Sequence, residues 1–194
     1  MRSAGELITQ LEHPDAQRRS RLFAELAAIG PAAVPALCQV LKLGHGVARS
    51  RAAEALVLLG EGALGSLEAA LLDADPEVRL WLAWTLGRIP RTEVVAHLVG
   101  LLSDPDLRVR RQVVDSLART GLPGAVKGLC EALRDSHAEV RRDAVEALGR
   151  MRDPKAISPL CEALSDANLG VRSAAISALG ERSSEVAVPA LLQR

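Results

Sequence analysis

The sequence predicts an all-α protein, an α-α superhelix of about six helix pairs preceded by an N-terminal half-repeat. Three observations predict it. Ala and Leu dominate, Tyr is absent, and Phe23, Trp81 and Trp84 are the only aromatic residues, whereas strands draw on β-branched and aromatic side chains. Apolar residues recur at helical spacing. The chain also repeats itself at a fixed interval, the signature of a stacked array.

The repeat is anchored on arginine. Val78-Arg79, Val109-Arg110, Val140-Arg141 and Val171-Arg172 each place Arg seven residues before a Leu, namely Leu86, Leu117, Leu148 and Leu179. The same offset joins Arg19 to Leu26 and Arg49 to Leu56. The six anchors Arg19, Arg49, Arg79, Arg110, Arg141 and Arg172 are spaced by 30, 30, 31, 31 and 31 residues. Six residues before the anchor stands Asp73, Asp104, Asp135 or Asp166 in the last four units, but His13 and Leu43 in the first two.

Within one unit, Val140, Ala144, Val145, Ala147 and Leu148 form the apolar stripe of a helix A. Asp153-Pro154 reads as an N-cap followed by Pro in the first turn, and Ile157, Leu160, Cys161 and Leu164 mark a helix B. Neither helix buries its stripe alone, so pairs stack on pairs and residues 1–194 form a single repeat domain. Leu7 and Leu11 stand before Arg19 as Leu129 and Leu133 stand before Arg141, so residues 3–12 supply a lone B-type helix over the first pair. Leu191-Leu192-Gln193-Arg194 stops short of the last apolar position of the final B helix.

The pattern Asp-x4-Val-Arg-x2-Ala-x2-Ala-Leu-Gly, clearest from Asp135 to Gly149 and from Asp166 to Gly180, resembles the short bacterial HEAT-like repeats of the phycobilisome-lyase type. That resemblance implies A helices on a convex side, B helices lining a concave groove, and protein partners held in the groove. The repeat Asp and Arg are expected to form a ladder at the inter-helix turns, because an Arg fork matches a carboxylate and exposed turn carbonyls.

Chemistry has no visible home. His13, His45 and His137 fall in the turns before A helices and His97 sits alone in a B helix; none precedes Glu, so the His-Glu pairs of the iron-binding HEAT-repeat hydroxylases are missing. Cys38, Cys130 and Cys161 occupy one equivalent B-helix position, without a third Cys or His in register to complete a metal site. They are expected as small buried side chains in a reducing, cytoplasmic compartment. Gly60-Glu61-Gly62 is an inter-helix turn rather than a phosphate loop. No catalytic residue, metal or cofactor is assigned.

Formal net charge is +0 and stacking aromatics are almost absent, which argues against nucleic acid in spite of the clusters Arg18-Arg19-Arg21, Arg49-Arg51 and Arg108-Arg110-Arg111. No apolar run is expected to reach the ~20 residues that span a bilayer, and no signal peptide is read at the N-terminus.

The third unit departs from its own repeat. Trp81 and Trp84 occupy positions that are mostly polar elsewhere, and with Leu80 they predict an exposed apolar patch on helix A, a surface for a partner or a homodimer. A second surface is the groove. Around Gln39 its floor is small and nearly uncharged, while Lys127, Glu131, Arg134 and Glu162 give the C-terminal half a mixed-charge rim. The functional expectation is a non-catalytic scaffold or adaptor binding another protein through the groove, the patch or both. A bilin lyase or lyase subunit, implied by the resemblance alone, and a nucleic-acid-binding protein are the alternatives.

Overall fold

The computed structural model describes residues 15–73, 75–122 and 124–181, with residues 6, 8, 10, 11 and 13 before them. Every α-helix among them belongs to an A/B alternation. The A helices are α1 (Ala16–Ile29), α3 (Gly46–Leu59), α5 (Pro76–Leu86), α7 (Leu107–Thr120), α9 (Ala138–Met151) and α11 (Leu169–Glu181). The B helices are α2 (Val34–Leu43), α4 (Leu64–Ala70), α6 (Glu93–Gly100), α8 (Ala125–Ala132) and α10 (Ile157–Ala163). The expected final B helix lies outside the described residues, as does most of the N-terminal half-repeat, of which Leu11 is described and buried.

Local sequence sets the ends of each A helix. Asp15, Asp75 and Asp106, four residues before their anchors, accept a hydrogen bond from a backbone N–H of the first turn. His45 and His137 hold the same place in α3 and α9 without a side-chain cap. Eleven residues after the anchor the chain takes a positive φ, at Gly30, Gly60 and Gly121 with 69°, 56° and 58°, and Gly121 is a left-handed cap. Arg152 takes that place after α9 with φ 53° despite its Cβ. The third unit carries Pro90 there, and α5 ends earlier, at Leu86.

Packing divides the chain into two compact units, Met1–Arg91 and Thr92–Arg194. In the first, α1 packs on α3 and α3 on α5, with α2 and α4 alongside as the B layer. In the second, α7 packs on α9 and α9 on α11, backed by α6, α8 and α10. Both cores are built on the same leucines. The Leu seven residues after each anchor, from Leu26 to Leu179, is at most 1% exposed, and so are the B-helix leucines Leu37, Leu67, Leu98, Leu129 and Leu160.

Gln17–Leu43 is long and apolar enough to cross a membrane by length and composition, which corrects the expectation that no such stretch exists. Gly30 and Pro31 break it into helices of 14 and 10 residues, each shorter than the ~20 needed to span.

Glycine sets the distance between A helices in the second unit. A Cβ on Gly149 would stand 2.7 Å from Ala178 Cβ, whereas one on Gly180 would meet nothing within 4 Å. Gly149→Ala is therefore expected to force α9 from α11 and cost about 1–3 kcal/mol, while Gly180→Ala is neutral or stabilising by up to about 1 kcal/mol. Urea unfolding of the two variants checks the contrast.

Candidate interaction surfaces

The ladder expected from the repeat is present in the second unit, where two rungs join one repeat to the next. Arg110 Nε donates to Asp135 Oδ2 at 2.7 Å and its Nη2 to Asp135 Oδ1 at 3.1 Å. Arg141 grips Asp166 in the same way at 2.8 and 2.9 Å. The remaining arm returns to the anchor's own turn: Nη1 of Arg110, Arg141 and Arg172 each donates at 2.8 Å to the carbonyl six residues before it, of Asp104, Asp135 and Asp166. Each aspartate also ties its own turn, Asp135 accepting from His137 N–H and Asp166 from Asn168 N–H at 2.8 Å. One carboxylate thus shapes a turn and fastens the preceding repeat to it.

In the first unit the ladder is irregular. Leu43 stands where a carboxylate is expected, and Lys42 reaches Asp73 at 3.4 Å. Arg49 turns to Glu77 at 3.1 Å, its Nη2 reaches Lys42 O at 3.4 Å, and its buried Nε has no hydrogen-bond partner among the described residues.

Glu77 explains the third-unit tryptophans. Its Oε1 also accepts from Trp81 Nε1 at 3.1 Å. Trp81 meets Trp84 edge to face with centroids 5.8 Å apart, and the Arg88 guanidinium lies 3.4 Å over the Trp84 ring while donating to the Trp84 carbonyl. Leu80, Trp81 and Trp84 are therefore half-buried rather than exposed, a correction to the sequence expectation.

The B-helix residues are exposed as expected. Gln39 lies on α2 in the first unit; Lys127 and Glu131 on α8, Arg134 just after it and Glu162 on α10 lie in the second. Two depressions flank α8. One of about 580 Å³ is lined by Leu122, Val126, Lys127, Cys130, Met151 and Lys155. The other, about 240 Å³, is lined by Cys130, Leu133, Arg134, Pro159 and Glu162 among others. The structure thus brings Arg134 and Glu162 together and sets Lys127 apart from them.

Cys38 and Cys130 are half-buried rather than buried as expected from the sequence. Burial pushes the Cys38 thiol up to about 11, with the Asp73 charge adding to it. Burial also raises Cys130, and Glu162 reinforces the shift. Cys161 is buried. All three are free, and no metal-holding cluster of His, Cys, Asp or Glu occurs among the described residues.

Sequence reasoning missed one surface. Leu43, Val47 and Leu72 are 76%, 56% and 87% exposed at the B-to-A turns of the first unit. The signal was present, since Leu43 replaces the repeat aspartate and Leu72 takes a position held elsewhere by Glu12, Lys42, Ser103, Arg134 and Ser165.

The Arg141 fork holds the Asp166 carboxyl below the usual carboxylate range against the opposing effect of burial, and the Asn168 N–H adds to the lowering. A carboxylate with a lowered folded pKa stabilises the fold above its unfolded value of about 3.9, and that contribution is lost as pH falls through the folded value. Asp166→Asn is expected to cost on the order of 2 kcal/mol at pH 7 and to flatten the loss of stability below about pH 4. Urea unfolding across pH 2–7 checks both.

Residues 64–142 and 126–194 match the family model described as HEAT repeats. No curated protein matches the chain. Among solved structures, the complex of CpcE and CpcF of phycocyanin lyase from Nostoc sp. PCC7120 is similar at 25% identity and TM-score 0.65, covering 76% of this chain and 98% of that one. A designed armadillo repeat protein in complex with the peptide (KR)4 aligns at 20% identity and TM-score 0.46, over 94% of this chain and 100% of that one.

Proposed function

Because the chain belongs to the HEAT-repeat family, we propose that it is a non-catalytic scaffold or adaptor that binds another protein through the B-helix face of its second unit. The observation that carries this reading is the division of charge there. Arg110, Asp135, Arg141 and Asp166 are engaged with one another, whereas Lys127, Arg134 and Glu162 are exposed on the linings of two depressions and Glu131 is exposed on α8 between them in sequence. Exposed charge around hollows of mixed polarity suits a polar-rimmed protein interface. The half-buried Trp81 and Trp84 serve as a secondary surface, through the ring area left open. Three free thiols support a reducing, cytoplasmic setting.

A second reading, a subunit of a bilin lyase, is favoured by the likeness to the CpcE and CpcF complex of phycocyanin lyase. That structure is itself a complex, which supports a protein partner under either reading.

Affinity capture from the source cell, with mass-spectrometric identification, tests the proposal. Lys127→Glu/Arg134→Glu is expected to lose a partner retained by wild type, by about tenfold or more, with helicity unchanged. Trp81→Ala/Trp84→Ala is expected to weaken the same capture less. Identical partner lists for wild type and the charge-reversed variant would remove the B-helix reading. A visible bilin absorbance in the captured material would select the lyase reading.

A further inference from the structure

The A-to-B edge of the second unit carries cations that neither the core nor the ladder uses. Arg119 on α7 and Arg150 on α9 stand nine residues after their anchors, where the first unit has Ala28, Leu58 and Arg88. Arg88 lies over the Trp84 ring, whereas the side chains of Arg119 and Arg150 are exposed and make no hydrogen bond or ion pair among the described residues. The side chains of Lys127 on α8 and Lys155 just before α10 are exposed and unpaired in the same sense. Arg152 adds a fifth cation. It holds φ 53° where Gly30, Gly60 and Gly121 serve the other turns, a conformation that disfavours any Cβ, and its side chain is also exposed and unpaired among the described residues.

Two depressions bring these residues onto one surface. One of about 480 Å³ is lined by Arg119 and Arg150 with Ala118, Gly121 and Met151. The hollow of about 580 Å³ beside α8 is lined by Lys127 and Lys155 with Leu122, Val126 and Met151. Gly121 and Met151 line both, so the two join into one trough that runs from the ends of α7 and α9, past the turns, to α8. Arg152 follows Met151 directly and stands at the junction. Asp115 and Asp153 are the acidic residues of the lining. Asp153 is engaged in its own turn, accepting from Lys155 N–H at 2.8 Å, and Asp115 accepts from Gln112 Nε2 at 3.5 Å. Four lining cations therefore outnumber two lining carboxylates on a chain whose formal net charge is +0.

We infer that this trough binds an extended acidic segment of a partner protein, whose carboxylates meet Arg119, Arg150 and the two lysines while one of its apolar side chains seats against Leu122, Val126 and Met151. Charge complementarity selects the sign of the ligand, because exposed cations without partners are free to take incoming carboxylates. The hollow selects a peptide. No aromatic ring lines the trough to stack a base, and the apolar lining beside Lys127 matches a side chain that a phosphate backbone does not carry. The repeat agrees. Ala28 and Leu58 show that packing does not require a cation nine residues after the anchor, and at Arg152 the chain holds a sparsely populated conformation that glycine adopts without cost. This rests on the second unit's being a protein-binding surface, and it adds the partner's chemistry and the A-to-B edge to that surface.

Fluorescence anisotropy of the full 194-residue chain with fluorescein-labelled repeat peptides tests it. A peptide of Glu, Leu and Asp is expected to bind saturably, with affinity falling as sodium chloride rises, and about threefold or more tighter than a peptide of Glu, Ser and Asp. Arg119→Glu/Arg150→Glu is expected to weaken binding about tenfold or more, with helicity by circular dichroism unchanged. Arg142→Glu, the same reversal about 12 Å up α9 from Arg150, is expected to change it by less than about twofold. No binding, equal binding of the serine peptide, binding indifferent to Arg119→Glu/Arg150→Glu, an equal loss with Arg142→Glu, or tighter binding of oligothymidylate or of a peptide of Lys, Leu and Arg would each overturn the inference. A partner lost from Lys127→Glu/Arg134→Glu in the capture, while the acidic peptide fails to bind here, would leave the B-helix reading standing and remove this one.

Discussion

The fork of an anchor arginine closing on the aspartate of the next repeat is the interaction on which this structure depends. Leucine and valine supply the burial, but an apolar stripe alone leaves the relative height of two stacked helices weakly specified. The bidentate contacts of Arg110 with Asp135 and of Arg141 with Asp166 fix that height. The same carboxylates tie their own turns through the His137 and Asn168 N–H groups, so the start of each A helix is set together with its contact to the previous unit. Gly149 then allows α9 and α11 to close on each other.

In the first unit two successive rungs differ. Leu43 replaces the carboxylate in line with Arg19, and at the next rung Asp73 is present but is met by Lys42, while Arg49 turns to Glu77. Glu77 in turn engages the Trp81 indole, which leans on Trp84 beneath Arg88. A buried Arg49 Nε without a partner among the described residues is the residual cost. Regular rungs in the second unit and substituted ones in the first give the two units different surfaces: paired charge with exposed B-helix residues in one, and exposed leucines at the turns in the other.

The helix pairs, their leucine core and the existence of a ladder were legible in the sequence because each rests on an interval repeated several times. The direction of the ladder was not. Nothing in Asp-x4-Val-Arg says whether the fork closes on its own turn or the next, and in the structure Nη1 does the first while Nε and Nη2 do the second. Exposure of Trp81 and Trp84 was misjudged for a related reason. Equivalent positions are polar in other units, yet Glu77, four residues before Trp81, and Arg88, four residues after Trp84 and just past the end of α5, lie within reach of the rings. The exposure of the B-helix charges was legible, since their periodicity alone turns them from the core. Residue identity does not set exposure along the A helices, as Val145 and Ile176 hold equivalent positions, are alike in character and are opposite in exposure.

A double-mutant cycle on Arg141→Ala and Asp166→Ala, read by urea unfolding at pH 7, tests the central claim most directly. A ladder that fastens one repeat to the next predicts a coupling of about 1–3 kcal/mol between the two sites. Additive losses, with coupling within about 0.3 kcal/mol of zero, would contradict it and leave the apolar stripes as the sole determinant of how the repeats stack.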